Sequence, residues 1–239
     1  FGDTVPDQDD AQLLKSLVAS INELRDAGQL LAYHDRSDGG LWAAACEIAF
    51  AGQLGISLNV DLLVTEGDGI SGSRAEMGDS KNWAMQVGER RSELTLKALF
   101  NEELGALIQV PRAQRDAVIA TLRKHGLGRC SHAIGKTNDK RIVEVWRDAK
   151  AVFSAPLREL QQAWDEVSWR IARLRDNPDC ADAEHAAAGA NGDTGLHLRL
   201  SFDPAEAPAL LKTRPKVAIL REQGVNSHLE MSYAMAHAG

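Results

Sequence analysis

Cysteine is scarce. Cys46, Cys130 and Cys180 lie far apart and form no C-x-x-C pair. That argues against a disulfide frame or a cysteine-based zinc site, and the three read as reduced thiols of a cytosolic protein. Long apolar runs are also missing: nothing approaches the roughly 18–20 residues that a membrane-spanning helix needs. The opening Phe1-Gly2-Asp3-Thr4 has neither the basic start nor the apolar core of a secretory signal. Positive charge is in deficit, with 27 Lys and Arg against 34 Asp and Glu, a net charge of −7. A general nucleic-acid surface would need a basic patch, so neither nucleic acid nor membrane is an expected partner. His185 and His197 have no partners at metal-binding spacing.

What is present is ordinary for a soluble globular chain: 44% hydrophobic and 26% charged residues over 239 positions. That length suits one large domain, or a domain plus part of another. Asp9 or Asp10 can cap a first helix whose apolar face is Leu13, Leu14, Leu17, Val18, Ile21 and Leu24, with Gly28 as its stop. Leu30 to Tyr33 reads as a short buried strand. Leu41 to Phe50 reads as a helix apolar nearly all round, with only Glu47 charged. Gly55 to Asp61 alternates and reads as a half-exposed strand. Residues 65–92 are punctuated by glycines and read as a surface loop, with Trp83 and Met85 as possible anchors.

Beyond it the spacing predicts a helix over 94–99, a strand over 104–110, and a helix over 113–125 led by Pro111 and ended by Gly126. Two strands over 132–135 and 141–146 resemble a hairpin turned at Asn138-Asp139, and Val152-Phe153 is extended. Leu157, Leu160, Trp164, Val167, Ile171 and Leu174 then make one apolar stripe on a long helix. The prolines, glycines and alanine run of 177–214 read as a linker, with Leu196 to Leu200 as one added strand. Finally Lys216 to Leu220 reads as a buried parallel strand, and Ser227 can cap a helix over 228–238. Interspersed helices and strands with hairpin-like pairs point to an α+β domain with a mixed sheet.

The chemistry concentrates in His34-Asp35-Arg36-Ser37-Asp38-Gly39-Gly40, a charged turn opening a small-residue helix. A helix N-terminus presents unpaired N–H groups and the positive end of a dipole, so it attracts anions. Asp35 and Asp38 would repel a bare phosphate, so a phosphate there needs a cation between. On residue types alone, Ser37 or Asp38 as a simple N-cap beside a glycine turn is the commoner arrangement.

Tyr33 to Leu41 resembles the second D-R-S-D-G-G-L turn of the phosphoribosylformylglycinamidine synthases, in their large glutaminase-fused form. Phe100 to Ala106 is similar to the family's F-N-E-E-L-G-A. Arg173-Leu174-Arg175-Asp176-Asn177-Pro178 and Cys180-Ala181-Asp182 are similar to further segments, and Arg214 to His228 resembles the start of the glutaminase domain. The motifs follow one another in family order over nearly the whole chain.

The resemblance implies an ATP-dependent ligase of purine biosynthesis. It would convert formylglycinamide ribonucleotide, glutamine and ATP to formylglycinamidine ribonucleotide, glutamate, ADP and phosphate. Its small-molecule substrates are the expected partners, with contacts to the rest of the same polypeptide, and its expected location is cytoplasmic. The implied fold is a mixed sheet packed with helices, like the C-terminal domain of aminoimidazole ribonucleotide synthetase, followed by the first β-α unit of a flavodoxin-like glutaminase domain. Residues 1–176 would be the C-terminal part of the second synthetase-like half, 177–214 a linker, and 215–239 the glutaminase start. The implied cofactors are Mg2+ and ATP or ADP at an auxiliary site, with Asp35 a magnesium ligand and Ser37 on the nucleotide phosphates. His34, Asp38 and Gly39 would shape the turn.

No catalytic residue is expected in this stretch. The resemblance puts the other magnesium ligands before Phe1 and the glutaminase cysteine, histidine and glutamate after Gly239, so the stretch is expected to be inactive alone. Glu102 and Glu103 could form an acid pair, but a structural role suits them better, since no partner is evident. Two other readings stay open: a small-molecule kinase of the same superfamily, and a non-catalytic nucleotide-binding or scaffold module.

Overall fold

The computed structural model describes residues 6–7, 10–65, 80–190, 198–203 and 215–238. The chain divides into two compact units, Phe1–Gly192 and Asp193–Gly239.

In the first unit, helix α1 (Ala11–Asp26) starts on Asp10, whose side chain accepts from the Gln12 N–H, and ends before Gly28 at φ +65°. Strand β1 (Ala32–Asp35) leads into α2 (Gly40–Gly52), β2 (Gly55–Asn59) and the short α3 (Asp61–Thr65). Next come α4 (Ser80–Phe100), β3 (Ala106–Gln109), a 3-10 turn at Arg112–Gln114, and α5 (Arg115–Lys124). Strands β4 (Gly135–Asn138), β5 (Ile142–Arg147) and β6 (Lys150–Pro156) precede α6 (Leu157–Arg175) and α7 (Pro178–Gly189).

The strands form two sheets. β1 and β3 make a two-stranded antiparallel ladder in which Asp35 lies opposite Ala106. The other sheet runs β4-β2-β5-β6, with β2 and β5 parallel and the outer pairs antiparallel. This is the expected α+β architecture with a mixed sheet.

Helix α2 is shared by the two sheets. Its Ala45, Cys46, Ala49 and Phe50 pack with Ile56, Leu58, Val143 and Leu157 around the large sheet, and Leu107 of β3 packs on the same cluster. Successive strand residues face opposite ways, so the next residue, Ile108, joins Leu24, Val118, Leu122 and Leu127 under α1 and α5. A third cluster, Val60, Val64, Leu99 and Val145, seats α3 and α4 on the large sheet. All three cysteines are free, and burial pushes the Cys46 thiol up to about 12, which keeps it protonated and unreactive.

Several expectations are corrected. The glycine-rich loop over 65–92 gives way to helix from Ser80 onward, while 66–79 lie outside the described residues. Polar helix formers carry α4 where no apolar period marks it, and Gly88 does not break it. β2 is mostly buried rather than half-exposed, because strands flank it on both sides. Leu31 and Tyr33 are exposed, so the first strand is not buried. β4 and β5 do not form a hairpin: both pair with β2, from opposite sides. The hairpin is β5–β6, turned by Asp148 and Ala149 at φ +52° and +58°, which is the sign a two-residue primed turn requires.

The expected linker opens instead as helix α7. Pro178 sits in its first turn, where no N–H is needed, Asn177 caps it, and the alanine run continues it. Of the strand expected over 196–200, 196–197 lie outside the described residues, and 198–200 are in no ladder. In the second unit, α8 (His228–His237) is present. Lys216 to Leu220 is in no ladder among the described residues, and Leu220 is 87% exposed. The strand expected there does not form among the described residues, and the β-α unit is not shown.

Candidate functional site

The charged turn joins the end of β1 to the start of α2. Gly39 and Gly40 have φ of +79° and +64°, a region that disfavours any residue with a Cβ. A Cβ on Gly40 would also stand 2.7–2.8 Å from the backbone of Leu99, Phe100 and Asn101. The second glycine is thus required by close backbone contact with the end of α4.

That contact unites the two motifs. Residues 100–106 return beside 34–40, with the Arg36 N–H donating to the Gly105 carbonyl at 2.9 Å. The Arg36 side chain folds back on the same segment. Its Nε donates to the Glu103 carbonyl at 2.8 Å and its Nη2 to the Leu104 carbonyl at 3.0 Å. Burial there pulls the guanidinium below the usual arginine value, with Glu103 opposing. Arg36 is therefore a strut rather than a free anion contact.

The N-terminus of α2 is capped from a distance. Gly39 is the N-cap, and its N–H donates to Glu102 Oε1 at 2.8 Å. Neither Ser37 nor Asp38 caps the helix, which corrects the simple reading of the turn. Glu102 and Glu103 form no acid pair: one carboxylate meets the helix, and the other residue lends its carbonyl to Arg36. Nothing local in the sequence pairs Glu102 with Gly39, which lies 63 positions away.

His34 sits under the turn with both ring nitrogens engaged. Nδ1 lies 2.6 Å from the Asp35 carbonyl oxygen, and Nε2 lies 2.7 Å from Glu47 Oε2. An oxygen acceptor at each nitrogen favours the doubly protonated ring. Its pKa is raised accordingly, chiefly by the Asp35 carbonyl and then by Glu47, against a partial loss of solvation. The other Glu47 oxygen accepts from Trp164 Nε1 at 2.9 Å. Glu47 stood out in the sequence as the single charge of an apolar helix, which was the available signal for this link.

Asp35 and Ser37 both lie at the exposed surface of this corner. Asp35, Arg36 and Gly105 border an apolar trough of about 700 Å³, whose other wall is α1 through Leu14, Leu17 and Ile21. Asp35 is thus exposed but not remote from a cleft. Among the described residues, no three His, Cys, Asp or Glu side chains are grouped so as to hold a metal ion. A magnesium ion takes six oxygens and commonly one or two from carboxylates, the rest from phosphate and water. Asp35 offers one exposed carboxylate at this corner.

The family model for the AIR synthase related protein C-terminal domain matches residues 2–148. The chain belongs to this family. The matched span contains both sheets except β6, together with the whole charged corner. Among solved structures, T. maritima PurL complexed with FGAR is 18% identical with a TM-score of 0.44, over 61% of this chain and 20% of that one. T. maritima PurL complexed with ATP is 17% identical with a TM-score of 0.45, over 63% and 22%. E. coli HypE is 24% identical with a TM-score of 0.41, over 59% and 38%. The chain thus spans about a fifth of the two PurL chains. No helix among the described residues is long and apolar enough to cross a membrane.

Proposed function

We propose that this chain is part of an ATP-dependent ligase that converts formylglycinamide ribonucleotide, glutamine and ATP to formylglycinamidine ribonucleotide. Within it the chain supports an auxiliary nucleotide site. The observation that carries the reading is the union of D-R-S-D-G-G-L with F-N-E-E-L-G-A in one corner, through the Arg36 and Glu102 hydrogen bonds. Family membership agrees with it. Asp35 supplies a carboxylate to magnesium and Ser37 a hydroxyl to the nucleotide phosphates. The ion, when bound, offsets phosphate charge beside Asp35, Asp38 and Glu102. Arg36, Glu102 and the two glycines hold the turn in shape.

Two measurements test this. The first is ADP release by the complete gene product with formylglycinamide ribonucleotide, with and without glutamine. Release that needs both substrates agrees with the ligase. Release indifferent to glutamine and to ammonia sinks it in favour of a phosphotransferase. The second is nucleotide retained by the purified protein after Asp35→Ala. Loss of bound ADP and a lower melting temperature are expected, and unchanged values remove Asp35 from the site.

A further inference from the structure

Glu47 is the only charged residue of α2, and its two oxygens serve different elements. Oε2 meets His34 Nε2 at 2.7 Å, and Oε1 accepts from Trp164 Nε1 at 2.9 Å. His34 in turn touches the Asp35 carbonyl through Nδ1 at 2.6 Å. Trp164 projects from α6 with 59% of its surface exposed, its ring 5.8 Å from that of Phe50. An unbroken chain of hydrogen bonds therefore runs from Trp164 of α6 to the backbone of Asp35. A carboxylate shared by an imidazole and an indole fixes the rotamers of both, because each partner gives it one directional bond.

We propose that Glu47 is a positioning residue: it holds His34 against the Asp35 carbonyl and ties that corner to Trp164, so that the aim of Asp35 and Ser37 depends on α6. The proposal rests on the reading of Asp35 and Ser37 as contacts to a magnesium–nucleotide. Glu47 itself touches neither. Helix α2 does not need the charge for its own packing, since its buried face is made of Gly40, Leu41, Ala44, Ala45, Cys46, Ala49 and Phe50.

Two experiments on the complete gene product test the inference. The first uses backbone amide resonances and no ligand. Trp164→Phe removes the indole N–H and leaves a ring to pack on Phe50. It is expected to shift the amides of Asp35 and Ser37 in the wild-type background and to leave them unmoved in a Glu47→Ala background. A direct ring effect would be the same in both backgrounds. Unmoved Asp35 and Ser37 amides in the wild-type background overturn the proposal, as do equal shifts in the two backgrounds.

The second titrates ADP in the presence of Mg2+. Glu47→Ala is expected to weaken binding about tenfold, the scale of a lost outer-shell partner. Glu47→Gln, whose amide can accept from Trp164 and donate to His34, is expected to restore it. Wild-type affinity in Glu47→Ala overturns the positioning role while Asp35→Asn still reports on the site. No binding by the wild-type complete protein counts against the nucleotide reading, and the resonance comparison then still decides the role of Glu47.

Discussion

The two sheets of the first unit are built from similar short strands and put to different uses. The four-stranded sheet places Val143, Val145 and Leu58 under α2, α3 and α4, and these side chains are essentially sealed from solvent. The two-stranded sheet is thin and partly wet, with Tyr33 and Leu31 exposed, and it carries the charged corner at its end. Two strands alone are marginally stable in water. This ladder stands because α2 covers one face and α1 with α5 cover the other, through Leu107 and Ile108 respectively. The large sheet is thus a foundation, and the small one a mount held in place by helices.

That division ranks substitutions. The largest loss is expected at Leu157, which is fully buried against the large sheet and whose N–H donates to the Arg141 carbonyl. Leu157→Ala should cost about 3 kcal/mol through lost burial and a cavity. A denaturant midpoint lowered with unchanged slope checks it. A near-neutral result would mean that the large sheet is not the foundation. Gly40→Ala comes next, at about 2 kcal/mol for a left-handed alanine. Its Cβ must also push apart the end of α4 and the turn. Hydrogen exchange should show the damage at residues 34–40 and 100–106 while β2 and β5 stay protected.

The same contrast explains what was legible in the sequence. Helices α1 and α6 were readable because their apolar period is local, and α2 because its apolar run is continuous. Strand pairing was not, because it is set by contacts between distant residues. Nothing near Asn138 says that β4 will leave β5 for the far side of β2. The stripe on α6 shows the limit of periodicity even within a helix. Leu157 is sealed in the core, whereas Val167, Ile171 and Leu174 on the same stripe are exposed. Periodicity identified the face but not what covers it. At the corner, the residue types of 34–40 marked the place, but its supports came from far along the chain: Glu102 to Gly39, Glu103 and Leu104 to Arg36, Trp164 to Glu47. Only the lone charge of Glu47 hinted at any of them.

A smaller effect separates the mount from its cargo. Glu102→Ala removes the acceptor of the Gly39 N–H and should cost about 1 kcal/mol, the usual worth of a helix cap. The carboxylate is exposed, so water can replace part of the bond. If the corner is as proposed, the substitution should also change Mg2+-dependent ADP binding by more than a global loss of that size explains. A stability change with unaltered binding would make Glu102 a cap and nothing more.

The smallest expected effect is the one that distinguishes the sheets by pH. Across the α1–α5 cover of the small sheet, Glu23 accepts from Lys124 at 2.9 and 3.0 Å and lies 2.8 Å from His125 Nε2. The Lys124 hydrogen bond, then that of His125, holds the Glu23 carboxyl below the usual carboxylate range. A carboxylate with a lowered folded pKa contributes stability that is present above its unfolded value, about 4.3, and is lost as pH falls through the folded one. The side chains are exposed, so the contribution is small and screened by salt. Acidification below about pH 4.3 should therefore increase exchange in α1, α5 and β3 at low salt. In Glu23→Gln this increment should vanish. An identical acid response in the variant would show that the cover is held by Leu24, Val118 and Leu122 alone, and that the ion pair contributes nothing to the mount.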